Sequence, residues 1–272
     1  MVGPLVLSRA LDANKADHGS LGVLGGDTGT VGAVFLSARA ALMTGAGRVY
    51  VVRPSLADGY VLDPLVPELM VIEASQYHDK PVDTWVVGPG LGLSSLARTY
   101  SAEVLRTEMP LVIDADGLNL LSVDTALASL CRKRTAPTIL TPHPAEAGRL
   151  LGLKASEIQA HRSSAAAALV EKYHAHIVLK GYQTLIASPG QPVVMNSTGN
   201  PSLATAGTGD VLAGVMGSLL AQGVRPELAA IHAVRIHGLA ADRLTARLGG
   251  VWGLTASELI PEIRAVLNAE QR

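Results

Sequence analysis

Residues 138–179 read TILTPHPAEAGRLLGLKASEIQAHRSSAAAALVEKYHAHIVL, and their pattern decides the fold. Thr138 to Leu140 and Ile177 to Leu179 are short runs rich in β-branched residues with no charge inside them, as expected of strands buried on both faces of a parallel sheet. Ala145 to Leu151 and Ser156 to Tyr173 carry helical spacing between them. Two parallel strands need a crossover of a dozen or more residues, usually helical, so the stretch predicts a βαβ unit. The same rhythm runs upstream. Val49 to Val52, Trp85 to Val87 and Leu111 to Ile113 read as strands, and Val31 to Thr44 and Ser94 to Thr107 as helices. Downstream, Thr184 to Ala187 and Pro192 to Met195 predict a hairpin at a sheet edge, turned at Pro189-Gly190. Asp210 to Gln222, Pro226 to Arg247 and Ala256 to Asn268 predict three closing helices, the second with proline in its first turn. The pattern is that of an α/β fold with helices on both faces of a mostly parallel sheet.

The chain has 272 residues, of which 48% are hydrophobic and only 3% aromatic. That is ample for one large core, and no low-complexity or Ser/Pro-rich linker divides it, so residues 1–272 are expected to form one domain. Basic residues number 22 and acidic ones 23, with no long run of either sign, which leaves no electrostatic footprint for nucleic acid or an anionic membrane surface. Arg39, Arg48, His232, Arg235 and His237 interrupt the apolar stretches, and a spanning helix needs about 20 nearly uninterrupted apolar residues. The single cysteine, Cys131, has no disulfide partner in the chain, and Met1 to Asp12 lack a basic start followed by an apolar core. A cytoplasmic location is expected.

In open α/β sheets ligands bind beyond the carboxyl ends of the strands. The residues there are Gly88-Pro-Gly-Leu-Gly92, Asp114-Ala-Asp-Gly-Leu-Asn119, Thr141-Pro-His-Pro-Ala-Glu146 and Lys180-Gly-Tyr-Gln-Thr184. Sharpest is the run Asn196 to Asp210, ending Gly207-Thr-Gly-Asp210 and leading straight into a helical pattern. Backbone N–H groups at such a helix start converge on an anion. Gly207, Thr208 and Gly209 are thus candidates to cradle a phosphate, and Asp210 to accept a proton from a substrate hydroxyl. The bland alternative makes Asp210 an N-cap and the glycines a tight turn. Carboxylates at Asp114, Asp116 and Glu146 on the same rim favour the functional one. The glycines form neither a Walker A loop nor a dinucleotide fingerprint. His143, between two prolines, is expected to face a cleft, although a lone post-strand histidine is more often structural. Lys180 is either a nucleotide contact or a solvated strand end. His232 and His237 read as packing or surface residues, Cys131 as an idle thiol, and Trp85 and Trp252 as core or interface.

Gly207-Thr-Gly-Asp210 opening a helix resembles the anion hole and catalytic acid/base of ribokinase-like kinases. Between His18 and Gln222 the chain resembles more specifically the ADP/ATP-dependent NAD(P)H-hydrate dehydratases. The similarity runs through His18-Gly-Ser-Leu-Gly, Gly25-Gly-Asp, Gly32-Ala, Gly45-Ala-Gly, Gly88 to Gly92, Asp114 to Asn119, Thr141-Pro-His-Pro, Lys180-Gly and Gly199-Asn-Pro. His143-Pro-Ala-Glu146 discriminates within the superfamily, because its vitamin kinases usually carry Asn-x-x-Glu there. Ala145 stands for the family's usual glycine, Leu203 for a usual methionine, and a lysine normally found between His18 and Gly19 is missing.

The resemblance implies a ribokinase-like three-layer sandwich and a carbon–oxygen lyase that restores the 6S hydrate of NADH or NADPH, with ADP or ATP as co-substrate and AMP or ADP plus phosphate released. Asp210 with Gly207, Thr208 and Gly209 would be catalytic. Ala33, Gly92, His143 and Asp210 would contact the hydrated dinucleotide. Lys180, Gly181, Tyr182, Gln183, Thr184 and Gly209 would bind the AMP portion, and Mg²⁺ would be held through water by Glu146 and Asp114. The resemblance also implies ADP as the donor of stand-alone members, a homotetramer, and a chain too short for the epimerase domain fused to some relatives. Two alternatives stay open: a small-molecule kinase of vitamin-precursor alcohols, and a catalytically silent nucleotide-binding regulator.

Overall fold

In this computed structural model residues 5, 7–59 and 61–271 are described; Met1 to Pro4, at the start of the stretch read for a leader, lie outside the described residues, as do Val6, Tyr60 and Arg272. The described strands are β1 (Ser20–Leu24), β2 (Arg48–Arg53), β3 (Met70–Glu73), β4 (Thr84–Val87), β5 (Leu111–Ile113), β6 (Thr138–Leu140), β7 (His176–Leu179), β8 (Leu185–Ala187) and β9 (Val194–Met195). They form one sheet in the order β3-β2-β1-β4-β5-β6-β7-β8-β9. The pairings from β3 to β7 are parallel, whereas β8 and β9 run antiparallel at one edge. The expected hairpin is therefore present, shortened to Val194–Met195 in its second arm, since Pro192 has no N–H to give the ladder.

The helices are α1 (Val31–Met43), α2 (Ser95–Leu105), α3 (Asp116–Val123), α4 (Thr125–Arg132), α5 (Pro144–Leu151), α6 (Ala155–Ala160), α7 (Arg162–Tyr173), α8 (Thr208–Ala221), α9 (Pro226–Leu248) and α10 (Ala256–Glu270). Alternate strand residues feed two separate cores, as the two-residue period of a strand requires. Leu21, Val23, Val49, Val51, Val86, Val112, Ile139 and Val178 pack with α1, α8, α9 and α10. Leu24, Val52, Trp85, Val87, Leu111, Ile113, Leu140, Ile177 and Leu179 pack with α2 to α5 and α7 on the other face. The result is the three-layer sandwich expected from the sequence.

Helix α8 explains the small-residue composition. A Cβ on Gly214 would lie 2.0 Å from the Ser37 carbonyl oxygen, and one on Gly217 would lie 2.5 Å from Val86 Cγ2. The glycines let α8 press against α1 and down onto β1 and β4, bringing its amino terminus to the carboxyl ends of the central strands. Among its described residues the β2–β3 crossover contains no helix. It is pinned instead by Arg39, which gives Asp63 two hydrogen bonds of 2.6 and 2.7 Å while the Asp63 carboxylate is fully buried. No helix among the described residues is long and apolar enough to cross a membrane.

Candidate active site

The rim at the carboxyl ends of β1, β4, β5, β6 and β7 is stitched together by backbone contacts. Gly26 and Asp27 donate their N–H groups to the carbonyls of Pro89 (2.9 Å) and Gly90 (2.6 Å), and the Thr30 hydroxyl donates to Gly90 as well (2.9 Å). Gly88 sits at φ +125°, and a Cβ there would come within 1.8 Å of the Asp114 carbonyl oxygen. Only glycine allows the loops after β4 and β5 to meet so closely. Ala33 lies in the first turn of α1 beside Gly90, and Gly92 donates its N–H to Asp116 Oδ2 at 2.9 Å.

Behind this rim lies a compact charged cluster. Asp114 is 1% exposed, and its Oδ1 accepts from the Thr141 hydroxyl (2.7 Å) and from Lys180 Nζ (2.5 Å). The same Nζ lies 3.8 Å from Glu146 Oε2. His143 is the N-cap of α5: its Nδ1 accepts from the N–H groups of Ala145 and Glu146, while its own N–H donates to Glu146 Oε2 at 2.7 Å. With Nδ1 accepting, the neutral ring carries its proton on Nε2, which points into the half-exposed mouth 3.4 Å from Glu146 Oε1. Burial, together with the Lys180 and Arg149 charges, holds the imidazole below its usual pKa. Burial also pushes the Glu146 carboxyl up.

Helix α8 enters from the opposite layer. Its N-cap is Gly207 at φ +89°, a conformation side chains other than glycine rarely adopt, and Thr208, Gly209 and Asp210 form its first turn. The Thr208 hydroxyl turns back to the carbonyls of Leu203 (2.8 Å) and Thr205 (2.9 Å) and its N–H reaches the Thr205 carbonyl (3.4 Å), so the N–H groups of Gly209 and Asp210 are the ones at the helix start suited to an anion. Gly209 faces the cluster: a Cβ there would lie 3.5 Å from Lys180 Nζ and 3.7 Å from Asp114 Oδ2. The Asp210 carboxyl is pushed up to about 7, first by burial and then by the Asp114 charge, with Lys180 opposing. Helix α9 braces this turn from behind. His237, buried and driven down to about 4 by that burial, places Nε2 3.0 Å from the Thr208 carbonyl, so the neutral ring donates there. Asp242 accepts from the Gly199 N–H and the Asn200 amide, each at 2.9 Å.

The family model for NAD(P)H-hydrate dehydratase matches residues 21–264 of this chain. The chain belongs to that family. It is 41% identical to the ADP-dependent (S)-NAD(P)H-hydrate dehydratase of Neisseria meningitidis over 96% of its own length and 89% of that protein. It is 43% identical to the bifunctional NAD(P)H-hydrate repair enzyme Nnr of Coxiella burnetii, of whose length it spans 54%. Among solved structures, the ADP/ATP-dependent NAD(P)H-hydrate dehydratase of Bacillus subtilis, co-crystallised with ATP and Mg²⁺, superimposes with a TM-score of 0.85 at 28% identity, over 98% of this chain and 95% of that one. A hydroxyethylthiazole kinase from Pyrococcus horikoshii shares the fold, with a TM-score of 0.59 at 16% identity.

In this dehydratase-family chain the residues singled out from the sequence largely come together. Gly207 to Asp210, Lys180, Asp114, Glu146 and His143 form one cluster, and Ala33 and Gly92 flank it across the β4 loop. Asp210 is not the N-cap; Gly207 is. Lys180 is not a solvated strand end, because Asp114 and Glu146 hold it. Gly181 to Thr184 form a tight turn, with Gly181 at φ +133°, Gln183 at φ +52° and the Thr184 hydroxyl donating to the Gly181 carbonyl. Tyr182 projects from it, 87% exposed. Trp85 is core, whereas Trp252 is 91% exposed. Cys131 is buried and its thiol is pushed up to about 12 by that burial, so it is idle. His237, read as a packing or surface residue, packs behind the α8 turn, and Asn119 lies in the rim run read from the sequence. Arg149 and Asp242 escaped the sequence reading; Asp242 reaches the rim from α9 on the far layer.

Proposed function

We propose that this chain uses ADP to dehydrate the 6S hydrate of NADH or NADPH. The observation that carries it is the placement of Asp210 in the first turn of α8, next to Gly209, which faces the Lys180–Asp114–Glu146 cluster; burial and the Asp114 charge raise its carboxyl pKa to about 7. A hydroxyl is a poor leaving group. Asp210, once ionised, takes the proton of the ring hydroxyl as its oxygen bonds to the terminal phosphorus of the nucleotide, and AMP departs. The N–H groups of the Gly207 to Gly209 turn stabilise the charge on the transferred phosphoryl. Loss of phosphate from that ring carbon together with a proton from the adjacent ring carbon then re-forms the double bond and restores the dihydronicotinamide. His143, through Nε2, and the Ala33 and Gly92 backbone line the dinucleotide side; Lys180 to Thr184 and Gly209 line the AMP side.

Asp114 and Glu146 offer hard oxygen donors, but Lys180 and Thr141 already occupy Asp114 Oδ1, and no metal-holding group of three or more His, Cys, Asp or Glu is present among the described residues. That set suits Mg²⁺ kept largely by water and nucleotide phosphates, with the two carboxylates acting through water. When bound, the ion would neutralise phosphate charge.

ADP as donor rests on the likeness to the Neisseria enzyme. The proposal includes residues 1–272 acting as one catalytic domain, supported by the single sheet, and a cytoplasmic homotetramer, which light scattering tests. The decisive experiment supplies purified protein with Mg²⁺, ADP or ATP in parallel, and mixed epimers of hydrated NADH. Nucleotide-dependent recovery of the dihydronicotinamide absorbance, lost in Asp210→Ala, supports the dehydratase. No recovery, with thiamine-precursor alcohols phosphorylated instead, overturns it.

A further inference from the structure

The rim cations are nearly all spent on internal partners. Lys180 is held by Asp114 and Glu146, and Arg53 by the carboxylate of Asp58 and the carbonyl of Gly26. Arg162 donates to the carbonyls of Leu179 and Lys180 and to the Gln159 side chain. Arg149 differs. It lies on α5, six residues beyond His143, with an exposed side chain, and among the described residues no carboxylate approaches it within salt-bridge distance. Among the described residues, the one hydrogen bond of its side chain runs from a terminal guanidinium nitrogen to the neutral Asn119 Oδ1, at 2.7 Å. The Asn119 amide in turn donates to Asp116 Oδ1 at 3.1 Å, and Asp116 Oδ2 receives the Gly92 N–H. A guanidinium is thus tethered in place by a relay that ends on the glycine loop lining the dinucleotide side, with most of its five donors unused.

A tethered cation that keeps its charge unpaired at a site mouth is complementary to an oxyanion, and guanidinium matches phosphate in a bidentate fork. We infer that Arg149 binds a phosphate group of the dinucleotide substrate, and so sets the affinity for that substrate rather than for the nucleotide donor. The inference rests on the dehydratase reading for the identity of the substrate. The relay locates the anion on the Gly92–Asp116–His143 side. The donor side is built by α8 and the turn after β7, whose lysine is already neutralised.

The test compares wild type with Arg149→Gln, which can still donate to Asn119, and Arg149→Lys, which keeps the charge. KM is measured for hydrated NADH, hydrated NADPH and ADP, and Kd for NADH and NADPH by calorimetry at low and high salt. Arg149→Gln is expected to raise KM for the hydrate and Kd for the dinucleotide by about ten- to a hundredfold, the size of one lost charge-assisted contact. It leaves KM for ADP unchanged, Arg149→Lys recovers part of the loss, and the salt dependence of binding flattens. A loss shared by both dinucleotides assigns the contact to the pyrophosphate, and a loss confined to NADPH assigns it to the 2′-phosphate; each supports the inference. Unchanged dinucleotide binding, or a rise in KM for ADP instead, overturns it. Turnover by the wild-type protein tests the dehydratase reading separately, because the calorimetric arm needs no chemistry.

Discussion

Asp210→Asn should separate activity from stability in a pH-dependent way. The Asp210 carboxyl moves from an ordinary 3.8 to about 7 on folding, because burial and Asp114 disfavour its charge more than Lys180 favours it. An acid whose folded pKa is raised costs folding free energy wherever the unfolded chain would be ionised. The cost is absent below about pH 4, grows through the interval and is complete above about pH 7. A difference of about three pH units corresponds to at most about 4 kcal/mol, which solvent reaching a partly buried group reduces to roughly 2 kcal/mol. Asparagine keeps the shape without the charge, and among the described residues no side-chain hydrogen bond is lost, since the Asp210 carboxyl makes none. Urea unfolding at pH 4 and pH 8 checks this. The variant should match wild type at pH 4, exceed it by roughly 2 kcal/mol at pH 8, and lose about a thousandfold or more in turnover, within the range for removing a general base. Equal stability changes at the two pH values, or destabilisation at pH 8, would refute the placement of this carboxylate.

Further predictions follow from the same cluster. Wild-type kcat/KM should rise with pH through about 7 as Asp210 ionises; Asp114→Asn removes the neighbouring negative charge and should move that limb down by about one pH unit or more, read from the pH–rate profile. Gly209→Ala places its methyl at ordinary contact distances, so it should fold normally yet lose about a hundredfold in kcat/KM by crowding the anion position, whereas Gly207→Ala, at φ +89° and 2.6 Å from Leu36 Cδ1, should lower the unfolding free energy by about 1–3 kcal/mol. His237→Ala should cost about 2–3 kcal/mol through the lost bond to the Thr208 carbonyl and the cavity left behind. The wild-type ring, neutral when folded, takes a proton when unfolded, so it contributes a fall in stability between about pH 6.5 and 4 that denaturation of this variant should lack.

The elements legible in the sequence were those whose burial is uniform. β2 and β4 to β7 are covered on both faces, so they read as unbroken apolar runs. β1 escaped because Gly22 breaks its pattern, and the reason is tertiary: a Cβ there would lie 2.5 Å from the Trp85 ring. β3 escaped because it is a half-exposed edge strand ending in Glu73. Residues 116–132 hold α3 and α4, joined at Asp124, which ends the first and caps the second with hydrogen bonds to Ala126 and Leu127. Two eight-residue helices meeting at one residue give too little period to separate from a loop. The single helix expected over Ser156 to Tyr173 divides at His161, whose φ of −134° and ψ of 48° leave the helical region.

The site was legible in a different way, through residue types that the rim topology gathers, and it failed where one side chain does two jobs. His143 illustrates this. Its position between prolines pointed to a cleft or to a structural role as alternatives, whereas Nδ1 caps α5 and Nε2 faces the mouth. The cap fixes the tautomer, so a structural bond sets which nitrogen is presented. Lys180 follows the same logic: its bonds to Asp114 and Glu146 remove it as a free countercharge, yet they also hold Asp210 near neutrality rather than well above it. Pairing of this kind depends on Asp114 after β5, Glu146 on α5 and Asp210 on α8 from the other layer converging on one ammonium group. Spacing along the chain does not encode that convergence; the glycines at 88, 214 and 217, which let loops and α8 approach so closely, are its trace in the sequence.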